Sequence, residues 1–175
     1  SQLFSSDFNG VRDELMFELF YQTGIRLSEL IGLKDGDVSE QHIKVLGKRS
    51  KERLIPISSE LSQTIQLFRS MKRKMQIESL KLFTRENGKD LYPTLVYRKI
   101  NAILGTLTSA DKKSPHILRH TFATHLLNRG TGLETLKDLL GHANLSATQV
   151  YTHNSFAQLT AVYAQAHPRG MEKSK

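Results

Sequence analysis

The chain has 175 residues, no cysteine, and 25 Lys and Arg against 17 Asp and Glu, for a net charge of +8. That length fits one domain, or one and a small tail, and a 38% hydrophobic content is enough for a core. The missing cysteines exclude disulfides and thiolate metal sites and suit a reducing cytoplasm, and no apolar run approaches the roughly 20 residues of a membrane span. The opening SQLFSSDFNGVRDEL lacks a signal-peptide pattern and an initiator Met, so a fragment of a longer protein is expected. The basic balance points to a polyanion, nucleic acid ahead of a membrane surface, although a merely soluble basic protein carries the same number.

Residues 8–23 have apolar side chains at helical spacing (Phe8, Val11, Leu15, Met16, Leu19, Phe20), with Asp7 placed to cap them and Gly24 to stop them. A tight corner, Thr23-Gly24-Ile25-Arg26, leads to a short helix over Ser28–Leu33 and a turn at Lys34–Asp37. Residues 42–46 and 53–57 read as a hairpin. Five of the ten residues from Lys44 to Arg53 are basic: Lys44, Lys48, Arg49, Lys51 and Arg53. Such a run is either a solvated loop or a β-ribbon whose turn enters a DNA groove; the second reading makes Lys44, Arg49, Lys51 and Arg53 DNA contacts.

Residues 59–76 form an amphipathic helix on Leu61, Ile65, Phe68, Met71 and Met75. A short strand is expected at 81–83, before the Asn87-Gly88 turn, and another helix over Thr94–Leu107. Ser114-Pro115 opens a helix running to Asn128, Gly130 ends it, and Gly132–Leu140 is a short helix closed by Gly141. Helices over Leu145–Thr152 and Ser155–Ala166 follow. The sum is a mainly α chain with a small antiparallel sheet, an α+β fold.

Chemistry concentrates late in the sequence. His116 and Arg119 share one side of a helix start, where an oxyanion meets backbone N–H groups, the positive dipole end and a guanidinium. Either residue is equally able to be a structural hydrogen-bonder. His116 and His120 are four apart, but position 117 is Ile and no carboxylate lies at ligand spacing, so no metal site is expected and His120 and His125 read as residues that pack or hydrogen-bond locally. Arg26 has Glu29 one turn on to hold its guanidinium. Tyr151, taken alone, is more simply a packing residue. No Walker loop, G-x-S-x-G or paired-carboxylate signature is present.

Together, T-G-I-R-L-S-E-L, the G-K hairpin turn, H-I-L-R-H-T-F-A-T-H-L-L, L-L-G-H and Q-V-Y-T-H resemble the tyrosine recombinase (integrase) family, most closely its bacterial Xer-type and mobile-element members. The likeness runs from Arg26 to Arg169 with no departure at the family's functional positions. It implies the catalytic domain of such a recombinase over 1–175, without the N-terminal DNA-binding domain that usually precedes it. It also implies roles. Tyr151 is the nucleophile, and Arg26 and Arg119 clamp the scissile phosphate. Lys48 protonates the leaving 5′ oxygen, His116 accepts a proton, His142 hydrogen-bonds the phosphate, and Glu29 supports Arg26. The implied partners are double-stranded DNA with a specific site and a homo-tetramer assembled on it. The free state is a monomer, and the 155–169 segment packs on a neighbouring protomer. No cofactor or membrane is involved, and the setting is the bacterial cytoplasm, at the nucleoid. Two other readings compete: a type IB topoisomerase-like relaxing enzyme, and a DNA-binding module without catalysis.

Overall fold

The computed structural model describes residues 3–47, 52–109 and 111–141. Among them are six helices, α1 (Phe8–Thr23), α2 (Leu27–Gly32), α3 (Ser59–Lys74), α4 (Pro93–Leu107), α5 (Pro115–Asn128) and α6 (Leu133–Leu140), and one hairpin, β1 (His42–Leu46) with β2 (Glu52–Pro56). A single 3-10 turn at Asp35–Asp37 joins α2 to β1. The helix-rich α+β pattern read from the sequence is the pattern observed.

The core is built round α1. Its Leu15, Met16, Leu19 and Phe20 are fully buried, and the helix packs against α3, α4 and α5. A surface helix shows one apolar stripe, but α1 is enclosed on most sides, so even Arg12, Asp13, Gln22 and Thr23 are buried. Asp7 caps it as expected, its Oδ1 accepting from Gly10 N–H at 2.7 Å.

Gly24 ends α1 in the left-handed region, φ 60°. A side chain there would be strained, and its Cβ would lie 2.6 Å from Phe122 Cδ1 on α5. The corner is therefore tight enough to bring Arg26 close to α5 and α6.

The hairpin is antiparallel, pairing Ile43 with Ile55 and Val45 with Arg53. Side chains alternate across a strand, so Ile43, Val45, Arg53 and Ile55 share the inward face. Three local readings change. Helix α3 stops at Lys74, two residues early, because Gln76 takes φ 54° and Ile77 N–H returns to Lys72 O at 3.0 Å. The strand expected at 81–83 is only isolated bridges, Lys34 to Lys81 and Thr84 to Asp90, since the apolar run is too short to extend a ladder. Ser114 precedes α5, but its side chain makes no capping hydrogen bond; Pro115 alone marks the start.

Candidate active site

Three separate stretches meet at the carboxyl end of α6. Arg26 comes from the α1–α2 corner, Arg53 from β2 and Arg119 from α5. Each donates to a successive carbonyl of the helix end: Arg53 Nε to Leu139 O at 2.8 Å, Arg119 Nη2 to Leu140 O at 2.7 Å, and Arg26 Nη2 to Gly141 O at 2.9 Å. These carbonyls have no partners within the helix and carry the negative end of its dipole, so cations are favoured there. Arg119 Nη1 also donates to Gly24 O, which ties α5 to the corner after α1. Gly141 makes the convergence possible. It takes φ 64°, and a Cβ on it would sit 3.0 Å from Arg53 Nη1.

Glu29 is the carboxylate of the group, and its side chain is 5% exposed. Both of its oxygens receive Arg53, at 2.8 and 2.9 Å. Oε1 also accepts Arg26 Nη1 at 2.9 Å, and Oε2 accepts the Arg26 backbone N–H at 2.8 Å. Burial alone would raise its pKa; the hydrogen bonds and charge of Arg53, then those of Arg26, overcome this and bring it down to about 2. Burial, followed by the like charges of Arg26 and Arg53, lowers Arg119 to about 10 despite the help of Glu29. Arg119 remains a cation at neutral pH, but an under-compensated one.

Among the described residues, the cluster sets three guanidiniums against one carboxylate. An ion network serving stability alone needs no such excess. A site with two charges to spare on rigid, planar donors suits a tetrahedral oxyanion, above all one that gains charge during reaction.

The structure brings together Arg26, Glu29 and Arg119, three of the residues that the resemblance assigns to one site. His116 is exposed at the second residue of α5. Lys44 is part-exposed, its Nζ 3.5 Å from Glu52 and 3.9 Å from Asp37. Arg53 is a correction. The basic run predicts a DNA contact there, yet Arg53 is 4% exposed, faces inward opposite Val45, and points its guanidinium at Glu29 and α6. The missed signal was parity: Arg53 alternates in step with Ile55 and Ile57, both buried. His125 packs edge-on against Tyr21 at 5.9 Å between ring centres, and His120 is exposed. Lys48, Arg49, Lys51, His142, Tyr151 and the segment 155–169 lie outside the described residues. No cluster of three metal-ligating side chains and no helix long and apolar enough to cross a membrane occurs among the described residues.

A model of the phage integrase family matches residues 2–158. A protein named tyrosine recombinase XerC from Chlorobaculum tepidum is 39% identical over 171 residues, covering 93% of this chain and 51% of that protein. Another of that name from Staphylococcus haemolyticus is 44% identical over 169 residues, covering 95% and 57%. The chain spans about half the length of these curated relatives. Among solved structures, the XerA recombinase aligns with a TM-score of 0.66 at 29% identity, over 94% of this chain and 65% of that one. The XerH site-specific recombinase, bound to its palindromic difH substrate in a post-cleavage complex, aligns with a TM-score of 0.72 at 25% identity, over 85% and 44%. With the family model matched over residues 2–158 and relatives 39% and 44% identical over more than nine-tenths of this chain, the chain belongs to the phage integrase family.

Proposed function

We propose that this chain is the catalytic domain of a bacterial tyrosine recombinase, which cuts and rejoins double-stranded DNA at a specific site. The observation that carries the reading is the overcharged cluster of Arg26, Arg53 and Arg119 round a single ionised Glu29. A DNA phosphodiester repels an attacking phenolate, and attack adds charge to the phosphoryl oxygens. Arg26 and Arg119 offset that charge with donors held in place beforehand.

The Tyr151 phenol, with an ordinary pKa near 10, gives its proton to His116 as its oxygen bonds the phosphorus. The bond from phosphorus to the 5′ oxygen breaks, and Lys48 protonates that oxygen. The product is a 3′-phosphotyrosyl linkage and a free 5′-hydroxyl. His142 donates to the phosphate. Because the linkage conserves the energy of the broken bond, a 5′-hydroxyl from the partner duplex attacks it and rejoins DNA without ATP. Repeating the exchange on the second strands passes through a four-way junction. Four copies assemble on the two duplexes from free monomers, with the 155–169 segment of each seated on its neighbour. Lys44, Arg49 and Lys51 contact DNA from a hairpin whose turn enters a groove, and the setting is the bacterial cytoplasm, at the nucleoid.

A suicide substrate tests the reading. A nick placed so that the short 5′ end diffuses away should trap a protein–DNA adduct that survives denaturant. The adduct should form in EDTA, carry DNA through its 3′ phosphate, and disappear in Tyr151→Phe. An adduct that persists in Tyr151→Phe removes the nucleophile assignment. Relaxation of supercoiled DNA lacking a paired site would favour the topoisomerase-like alternative, and DNA binding with no adduct would favour the non-catalytic one.

A further inference from the structure

Resting on that reading, we propose that Arg53 is a positioning residue for DNA cleavage: it holds Glu29 and the end of α6 together, and through them fixes the Arg26 guanidinium that meets the phosphate. It touches no DNA itself. Arg53 occupies all three of its donor nitrogens internally, Nη1 and Nη2 on the two Glu29 oxygens and Nε on Leu139 O. Glu29 in turn spends its other two hydrogen bonds on Arg26, one to the guanidinium and one to the backbone N–H.

Arg26 is therefore gripped from both ends by groups that Arg53 organises. Its Nη1 rests on Glu29, and its Nη2 rests on the Gly141 carbonyl, two residues beyond the carbonyl that Arg53 holds. Removing Arg53 takes away half of the hydrogen bonds of a buried carboxylate and one of the three ties on the helix end. The fork geometry matters as well as the charge, because only a guanidinium reaches both carboxylate oxygens and a carbonyl at once.

A role confined to stability, or a direct DNA contact, predicts different behaviour. In Arg53→Met, Glu29 keeps Arg26 from the α1–α2 corner and the charge of Arg119 from α5, but burial now acts on it with two of its four hydrogen bonds gone. Its carboxyl becomes able to take up a proton in the working pH range, and a neutral Glu29 holds Arg26 poorly. Cleavage of the suicide substrate, measured in single turnover at saturating DNA, should fall about 100-fold in this variant, the size expected for a misplaced clamp. The loss should deepen as pH falls from about 8 to about 5.5, while the wild-type carboxylate, held near 2, stays ionised over that span. DNA affinity should stay within about 3-fold, because a buried side chain neutralises no backbone phosphate.

Arg53→Lys keeps the charge but loses the fork. It should be slowed about 10-fold, with a flat pH ratio to wild type. Should the Met variant fail to fold, the Lys variant decides: slowed cleavage at an unchanged melting temperature supports the role, and full-rate cleavage overturns it. A pH-independent loss that tracks the melting temperature, or a loss lying wholly in DNA affinity, also overturns it. Absence of an adduct from the wild-type protein sinks the recombinase reading and this proposal with it. A wild-type adduct beside an unimpaired Arg53→Met sinks this proposal alone.

Discussion

Glu29 and Asp35 each gather cations from distant parts of the chain, yet their clusters are built differently. Asp35 receives Arg69 Nε at 3.1 Å and Lys72 Nζ at 2.8 Å, both from α3. The same two side chains reach the carbonyls of Val38 and Lys81, so the cluster pins the 3-10 turn and the 81–84 segment to one helix. Asp35 is 35% exposed, and water shares in solvating it. Glu29 is 5% exposed, has three arginines around it, and joins α2, β2, α5 and α6. The first cluster fastens neighbours together. The second assembles groups that lie up to 115 residues apart in sequence, the Arg26 guanidinium and the Gly141 carbonyl, and leaves positive charge unspent among the described residues. Ion pairs inside a protein are weak evidence of stability by themselves; the surplus of charge, more than the burial, is what makes the Glu29 cluster suited to an anion, as proposed above.

The sharpest way to break this contrast is to change an arginine in the Glu29 cluster without changing its charge. Arg119→Lys keeps one cation but loses the planar fork that spans Gly24 O and Leu140 O. Adduct formation on the suicide substrate should drop about 1000-fold, as when a pre-placed charge-stabilising donor is lost. The melting temperature should fall only modestly. Cleavage at the wild-type rate would mean that the surplus charge does not act on the phosphate.

Acid titration probes the same cluster through stability. Glu29 has a folded pKa of about 2 against an ordinary value of 4.5, so between these the unfolded chain binds more protons than the folded one. Stability from this group is therefore fully present above about pH 4.5 and is lost as pH falls through about 2. The difference amounts to about 3 kcal/mol, by the free energy of a pKa change. Comparing urea unfolding of wild type and Glu29→Gln across that window isolates the contribution from other carboxylates. The variant should show a flatter acid limb, and parallel limbs would mean that Glu29 is not held ionised by its arginines.

The parts of this arrangement that could be read from sequence are those that are local. Asp7 and Gly24 bracket α1 within one stretch, and Arg26 and Glu29 lie one helical turn apart, so their pairing follows from spacing alone. The meeting of Arg26 with Arg119 is not local; the family resemblance implied it, and the packing of α5 across Gly24 accounts for it. At Arg53 a run of basic residues invites a charge argument, while strand alternation is what places the side chain. Its partner Leu139 lies 86 positions away and leaves no trace near Arg53. The short strand at 81–83 was over-read for a related reason: Leu82 and Phe83 are buried, but under α3 and the core rather than within a ladder.

The smallest expected effect comes from the other side of the comparison. Asp35→Asn keeps the shape of the side chain and removes its charge, leaving Lys72 Nζ with the Lys81 carbonyl. The Lys72 side chain is only 5% exposed, so an unpaired ammonium there carries a real cost. Water at the partly exposed Asp35 position limits that cost to about 1 kcal/mol, read as a shift in the urea midpoint. Adduct formation should remain within about 2-fold of wild type at temperatures where both are folded, as for distant, independent sites. A cleavage defect far larger than the stability loss would show that the fastening at α3 is transmitted to the arginines. The division between a cluster that secures the fold and a cluster that meets an anion would then have to be given up.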